Sequence, residues 1–403
     1  MEKDELIPHL FRTEYRKIVS VLCKRFGFDQ VAIAEDITSD TFLTATQSWG
    51  LKGLPENPTA WLYNVAKNKA KNYLQRSTFF EDKISAELQH SSAETTEETD
   101  IDLSPQNIND SQLQMMFTIC HPTISSESQI GLSLRLLCGF GIEEIADAFL
   151  TSKETINKRL FRAKEKLREE GIKIAFPDPA AIEQRLETVL KTIYLLFNEG
   201  YTRLRKELCL EAMRLCIMLV ENNSTNTPPV NALLSLMCFH TSRFDARIDE
   251  DGAMVLYGEQ DTSRWNTDLI SKGGYFLRNS ASGKVTQYHL EAGIAYWHTQ
   301  KEDTKEKWEN ILQNYNRLLQ IAYSPMAALN RTYALSKVNG KPAAIKAAEQ
   351  LELTDNHLCF ALLGELYTGI NNEKAQTHFA KAIALAKTPA EKEALQRKKN
   401  LSQ

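Results

Sequence analysis

Seven basic residues crowd one short segment of the chain. Between Lys153 and Arg168 stand Lys153, Lys158, Arg159, Arg162, Lys164, Lys166 and Arg168, against Glu154 and Glu165. These are the side chains that neutralise phosphates and, on a helix, reach base edges in a major groove. Ile156, Leu160, Ala163 and Leu167 recur through the same stretch at helical spacing, so charge and core side belong to one helix. Upstream, Ile142, Ile145, Ala146 and Phe149 recur likewise, and Leu150-Thr151-Ser152 breaks the pattern. Two short helices about a tight break read as a helix-turn-helix with a basic second helix, which makes DNA the first partner to consider. Thr151 and Glu154 have capping-box spacing and predict where that helix begins. A solvated charged face with no ligand is the other reading.

The elements that must position these residues are bounded by the whole chain. At 403 residues it exceeds one hydrophobic core and predicts two to four domains. A net charge of −4 excludes a protein that coats nucleic acid by bulk electrostatics and leaves room only for local basic surfaces. Seven cysteines with no CxxC pair argue against a disulfide framework or a zinc site. Cys209 and Cys216, two helical turns apart, and Cys238 near His240 read as buried reduced thiols. No apolar run of bilayer length and no basic-then-apolar leader is present, so a soluble intracellular protein without membrane contact is expected, in keeping with a cytoplasmic role. A glycine-rich phosphate loop, metal-ligand spacing and a nucleophile-base pair are all missing, which predicts no metal, no cofactor and no catalysis.

The apolar periodicity is helical throughout, and the predicted fold class is all-α. Residues 1–77 form a first helical domain, with helices over Tyr15–Phe26, Ala32–Trp49 and Thr59 to about Arg76. Residues 78–111, rich in Ser, Thr, Asp and Glu, read as an acidic flexible linker. The helix-turn-helix lies in a second domain, 112–172, punctuated by Phe176-Pro177-Asp178-Pro179. A further helical domain is expected over 182–285. In 286–403, Leu329-Asn330-x-x-Tyr333 recurs as Leu363-Gly364-x-x-Tyr367, an offset of 34 residues (363 − 329) and the period of a tetratricopeptide hairpin.

Two blocks, in order, give the chain a family resemblance. Ala34-Glu35-Asp36-Ile37-Thr38-Ser39-Asp40-Thr41-Phe42-Leu43-Thr44-Ala45 with Pro58-Thr59-Ala60-Trp61-Leu62-Tyr63-Asn64-Val65-Ala66-Lys67-Asn68-Lys69-Ala70-Lys71-Asn72-Tyr73-Leu74 resembles conserved region two of the extracytoplasmic-function branch of sigma-70 factors. Residues 112–172 resemble their region four. The resemblance implies that Glu35, Asp36, Asp40 and Phe42 contact core RNA polymerase. It implies that Asn64, Lys67, Asn68, Lys71, Asn72 and Arg76 read the −10 element of promoter DNA, and that Lys153, Thr155, Asn157, Lys158, Arg159 and Arg162 read the −35 element. A melted strand needs amide edges and a cationic track, which the first of these DNA-reading sets supplies. Trp61 begins an apolar stripe with Val65 and reads as core. Leu150 stands where a turn glycine is common, and Asn72 where many relatives carry an acid.

The remainder resembles the C-terminal extension of one group of these factors, on Tyr194-Leu195-Leu196-Phe197-Asn198-Glu199-Gly200-Tyr201, the segments 251–256 and 260–265, and Ser324-Pro325-Met326-Ala327. That implies a regulatory extension using Asp251, Gly252, Gln260, Asp261, Arg264 and Trp265, with a protein or peptide ligand on the repeats. A ligand-sensing helix-turn-helix regulator independent of polymerase is the alternative, and it leaves residues 5–77 unexplained. An enzyme with its pocket at 251–265, or a pure repeat scaffold, fits less of the chain.

Overall fold

The computed structural model describes residues 3–88, 101–248, 255 and 257–402. Among them the fold is all-α, with eighteen α-helices and no β-strand. The chain divides into two compact units, Met1–Glu199 and Gly200–Gln403.

Unit one contains α1 (Lys3–Phe26), α2 (Val31–Lys52), α3 (Pro58–Leu88), α4 (Pro105–Ile119), α5 (Ser126–Leu132), α6 (Ile142–Ala148), α7 (Lys153–Glu169) and most of α8 (Ile182–Thr202). α1 lies at its centre because it is apolar on more than one face: Tyr15, Ile18, Val19, Leu22 and Cys23 are all buried. It packs on α2, α3 and α4. Phe11 meets Tyr15 at 4.7 Å and Phe42 at 5.0 Å between ring centroids. Gly27, at φ 90°, lets the chain turn from α1 into the 3-10 turn Phe28–Gln30.

Three boundaries differ from those expected. α3 runs on to Leu88, because no glycine or proline interrupts the chain from Thr59 to Leu88. α4 already begins at Pro105, with Ser104 Oγ accepting the Asn107 N–H and proline in the first turn, where its missing N–H costs nothing. The 78–111 segment is therefore helical at both ends, and its 89–100 part lies outside the described residues. Thirdly, the division between the units falls inside α8 rather than at 182. Leu186, Val189, Leu190 and Ile193 of this helix are buried, Thr192 Oγ1 donates to Gln129 Oε1 at 2.8 Å, and Arg185 donates to the Phe117 carbonyl at 2.5 Å.

Unit two begins with α9 (Lys206–Glu221), α10 (Pro228–Ser242) and α11 (Thr267–Asn279). α10 is buried from Val230 through Phe239, and Gly273 lets α11 approach the Phe239 ring, where an added Cβ would stand 2.6 Å from a ring atom. Helix pairs follow: α12 (Gln287–Thr299) with α13 (Lys305–Ile321), α14 (Pro325–Asn339) with α15 (Lys341–Glu349), and α16 (His357–Tyr367) with α17 (Asn372–Leu385), then α18 (Pro389–Leu401). Gly364 of α16 receives the Phe379 ring of α17, which leaves no space for a side chain there. All seven cysteines are free and buried. No described helix is long and apolar enough to cross a membrane.

Candidate nucleic-acid interface

Ser152, not Thr151, starts α7: its Oγ accepts the Thr155 N–H at 3.2 Å. Glu154 is thus a first-turn acid favoured by the helix dipole, and no capping-box partner of Thr151. One helix earlier Glu144 Oε2 accepts the Gly141 N–H at 2.7 Å, half of a cap that Gly141, having no side chain, does not return. The turn between α6 and α7 places Leu150 at φ 49° with its side chain 81% exposed. A non-glycine residue in the left-handed region costs about 1–2 kcal/mol, so the turn is made against the preference of the residue that makes it.

α7 has three faces. Ile156, Leu160, Ala163 and Leu167 are buried in unit one. Thr155, Lys158, Arg162 and Lys166 are exposed roughly opposite them. Of the remaining −35 candidates, Lys153 pairs with Glu143 and Arg159 lies 5.6 Å from the Phe149 ring. Asn157 stands on the third face with Phe161, Lys164, Glu165 and Arg168, across a crevice of about 380 Å³ from Phe28, Asp29 and Ala32.

α3 buries Leu62, Ala66 and Ala70. Tyr63 OH donates to Glu14 Oε2 at 2.6 Å and Tyr73 OH to Gln30 Oε1 at 3.1 Å, which fixes the rotation of the helix on α1 and the following turn. That rotation leaves Asn64, Asn68, Lys71, Asn72 and Arg76 exposed along one side, with Lys67 half-buried. Trp61, half-buried, packs edge-on against the buried Trp49 at 5.3 Å.

On α2 the four expected polymerase contacts part company. Asp36 and Asp40 are exposed, and Asp40 pairs with Lys69 of α3. Phe42 is buried, 4% exposed, beside Phe11 and Tyr15, so it shapes the surface from beneath. Glu35, 9% exposed, turns both carboxylate oxygens toward the helix-turn-helix region: Arg135 Nε donates to Oε1 at 2.7 Å, and Lys164 of α7 donates to Oε2. Burial pushes its carboxyl up, but Lys164 and Arg135 outweigh that and hold it below the usual carboxylate range. Arg135 also donates to Tyr15 Oη and the Phe140 carbonyl, both at 3.2 Å, and burial pushes the Tyr15 phenol up to about 12. Beyond this cluster, Arg12 of α1 donates to Glu144 of α6 at 2.9 Å and Lys24 of α1 to Asn107 of α4 at 3.1 Å. Beside Phe42 an apolar cleft of about 420 Å³ opens among Ile7, Phe11, Leu43 and Thr46.

Sequence reasoning passed over Arg135 and Lys164 as partners of Glu35. A signal was present: Arg135 is the one charged residue from Ile130 to Cys138, and a charge inside an apolar run implies a buried partner.

In unit two, Trp265 is 6% exposed, with the Arg243 guanidinium 6.0 Å from its ring, so it fills the interior and is no surface anchor. Asp261 caps a 3-10 turn by accepting the Ser263 N–H at 2.8 Å. Arg264 is exposed and donates to the Ile248 carbonyl at 3.2 Å, while the side-chain oxygen of Gln260 is buried. Trp265, Asp261 and Arg264 hold local structure together; Asp251 and Gly252 lie outside the described residues.

Residues 10–79 match the family model described as Sigma-70 region 2, which spans α1, α2 and most of α3. Residues 185–281 match one described as a family of unknown function, DUF6596. An uncharacterized protein of Rhizobium meliloti (strain 1021) is 30% identical over 379 residues, covering 90% of this chain and 88% of that protein. No solved structure matches.

Proposed function

The chain belongs to one family with the Rhizobium meliloti protein and carries a sigma-70 region 2 at its N-terminus, and on that premise we propose that it is a sigma factor of the extracytoplasmic-function branch. In this reading it binds core RNA polymerase, directs initiation at the −10 and −35 elements, and performs no catalysis itself. The observation that carries it is the region 2 match falling on a helix, α3, whose exposed side bears Asn64, Asn68, Lys71, Asn72 and Arg76.

Asparagine amides can donate to and accept from the edges of bases that have left the stack, and Lys71 and Arg76 can track the phosphates between them. Thr155, Lys158 and Arg162 on the exposed side of α7 suit duplex readout in a major groove, with Lys153 and Arg159 at its margins. Exposed Asp36, the apolar cleft beside Phe42 and the exposed Leu43 offer core polymerase a mixed apolar and acidic surface.

The same reading assigns the helical pairs α12–α13, α14–α15 and α16–α17 to tetratricopeptide-like repeats that hold a protein or peptide ligand and regulate the factor in cis. Because α8 packs into unit one, the truncation that tests regulation ends after Thr202. Reconstitution of the full chain with bacterial core polymerase and a randomised promoter library tests the function itself. Selective initiation from a subset with −10 and −35 elements is expected; DNA binding without any polymerase association would favour the polymerase-independent regulator.

A further inference from the structure

We propose that unit two holds a binding site for a small oxyanion, a phosphate- or carboxylate-bearing molecule, received by Arg243 and Lys307 among the rings of Tyr257, Trp265 and His298. The site goes beyond the function proposed above, and its test needs neither polymerase nor DNA.

The ends of three helices build it. Arg243 directly follows α10, His298 stands in the last turn of α12, and Lys307 in the first turn of α13. α12 packs on both α10 and α13, which brings these ends together. Tyr257 and Trp265 come from the connection between α10 and α11. The Arg243 guanidinium lies 5.3 Å from the Tyr257 ring and 6.0 Å from the Trp265 ring. Lys307 Nζ donates to Tyr257 Oη at 2.9 Å and to the Gln300 carbonyl at 2.8 Å. Tyr257 Oη in turn donates to the His298 carbonyl at 3.1 Å, and the two rings meet edge-on at 4.8 Å. One tyrosine thus joins both cations and the histidine.

The charge of this cluster is unbalanced. Arg243 is 5% exposed and Lys307 2%, and a charge so far withdrawn from water is ordinarily paired with one of opposite sign. Among the described residues neither has a carboxylate partner; the carbonyl, hydroxyl and ring faces around them carry no net charge. Asp303, on which Lys307 acts, commits its two oxygens to the Trp308 indole and to Lys337. The buried histidines register the imbalance. Burial, then Arg243 and Arg247, holds His240 well below the ordinary imidazole range, and burial, then Arg243 and Lys307, lowers His298 to about 3.

The hydrogen bonding is unbalanced in the same sense. Arg243 Nε, Trp265 Nε1 and His298 Nδ1 are buried without a hydrogen-bond partner. The first two always carry a hydrogen, and the third does in one tautomer. Unpartnered donors beside unneutralised cations suit an acceptor that is itself negative, and an oxyanion presents several such oxygens at once. Depth restricts its size. A nucleic-acid backbone or an extended acidic peptide needs exposed cations like those of α7, whereas a compact anion can sit among buried ones.

Calorimetric titration of the full-length protein with sodium phosphate and, separately, sodium succinate tests this, with ionic strength held constant by sodium chloride. Saturable binding of one anion per chain is expected, weakened by about tenfold or more in Arg243→Met and in Lys307→Met. Lys305→Met, an exposed change on the same helix, is expected to bind as the parent does. A response to phosphate alone assigns the ligand a phosphate group, and a response to succinate alone a carboxylate. Should a variant fold poorly, the indole N–H resonance of Trp265 in the parent, assigned through Trp265→Phe, is expected to move as the anion binds. Failure of both anions to bind, affinity unchanged in both methionine variants at the cluster, or a Trp265 resonance unmoved at saturation would each overturn the proposal.

Discussion

Glu35 and Arg135 stand a hundred residues apart in the chain and meet side chain to side chain at 2.7 Å. Both are mostly withdrawn from water, with side chains 12% and 19% exposed, and Lys164 completes the cluster. Removing the carboxylate leaves two cations facing each other. Breaking a fully buried pair costs about 3–5 kcal/mol; with some water access here, Glu35→Gln should cost about 2–3 kcal/mol of the stability of unit one in urea unfolding. Adding Arg135→Met and Lys164→Met should recover most of that loss. Because the folded carboxyl titrates below its unfolded value, the cluster contributes fully above the ordinary glutamate range and is lost as pH falls through the folded value. A variant as stable as the parent at neutral pH would show that the pair holds nothing.

Leu150→Gly should stabilise the protein. The left-handed turn costs leucine about 1–2 kcal/mol, and glycine returns about 0.5–1 through the entropy of its unfolded chain, for a net gain of about 0.5–1 kcal/mol. With the side chain 81% exposed, little packing is lost. Chemical denaturation measures the change, and a loss of stability would mean that the leucine makes a contact which the exposed turn does not account for.

Lys158→Ala and Arg162→Ala separate two kinds of DNA contact. A side chain that reads a base edge should cost about 1–3 kcal/mol and relax preference at one −35 position, whereas a phosphate contact should weaken every sequence alike and lower the salt dependence. Promoter-library initiation by the reconstituted factor distinguishes them. If neither variant, nor Arg159→Ala, has any effect, α7 does not read DNA.

His298 contributes to the pH dependence of unit two beside His240, which burial holds well below the ordinary imidazole range. Burial, then Arg243 and Lys307, lower the pKa of His298 to about 3, so it stays neutral when folded and takes up a proton on unfolding below about 6.5. Stability from this group is fully present above pH 6.5 and falls as pH drops toward 3, by up to roughly 1.4 kcal/mol per pH unit. His298→Asn should flatten that slope between pH 6.5 and 5 in thermal unfolding followed on unit two, and an unchanged slope would assign the effect elsewhere.

Much of this architecture is legible in the sequence where the signal is local. The charges and apolar stripe of α7 lie within seventeen residues, and their periodicity alone separates a core side from an exposed one. The cap was misplaced by one residue because Thr151 and Ser152 are chemically alike, and only backbone geometry decides which accepts the Thr155 N–H. Residues 78–88 read as linker from their polar composition, yet the uninterrupted run from Thr59 continues the helix. Tertiary relations left fainter traces. Glu35 reads as a polymerase contact because its partners lie 100 and 129 residues away, and the Arg243 packing that encloses Trp265 is likewise invisible in a local window.

The most direct measurement is a titration of fluorescently labelled full-length protein with bacterial core RNA polymerase, followed by anisotropy and run beside the Asp36→Arg variant. Saturable one-to-one binding, weakened at least tenfold by the charge reversal on the exposed face of α2, is the expected result. No binding at polymerase concentrations that saturate other sigma factors would contradict the account at its centre.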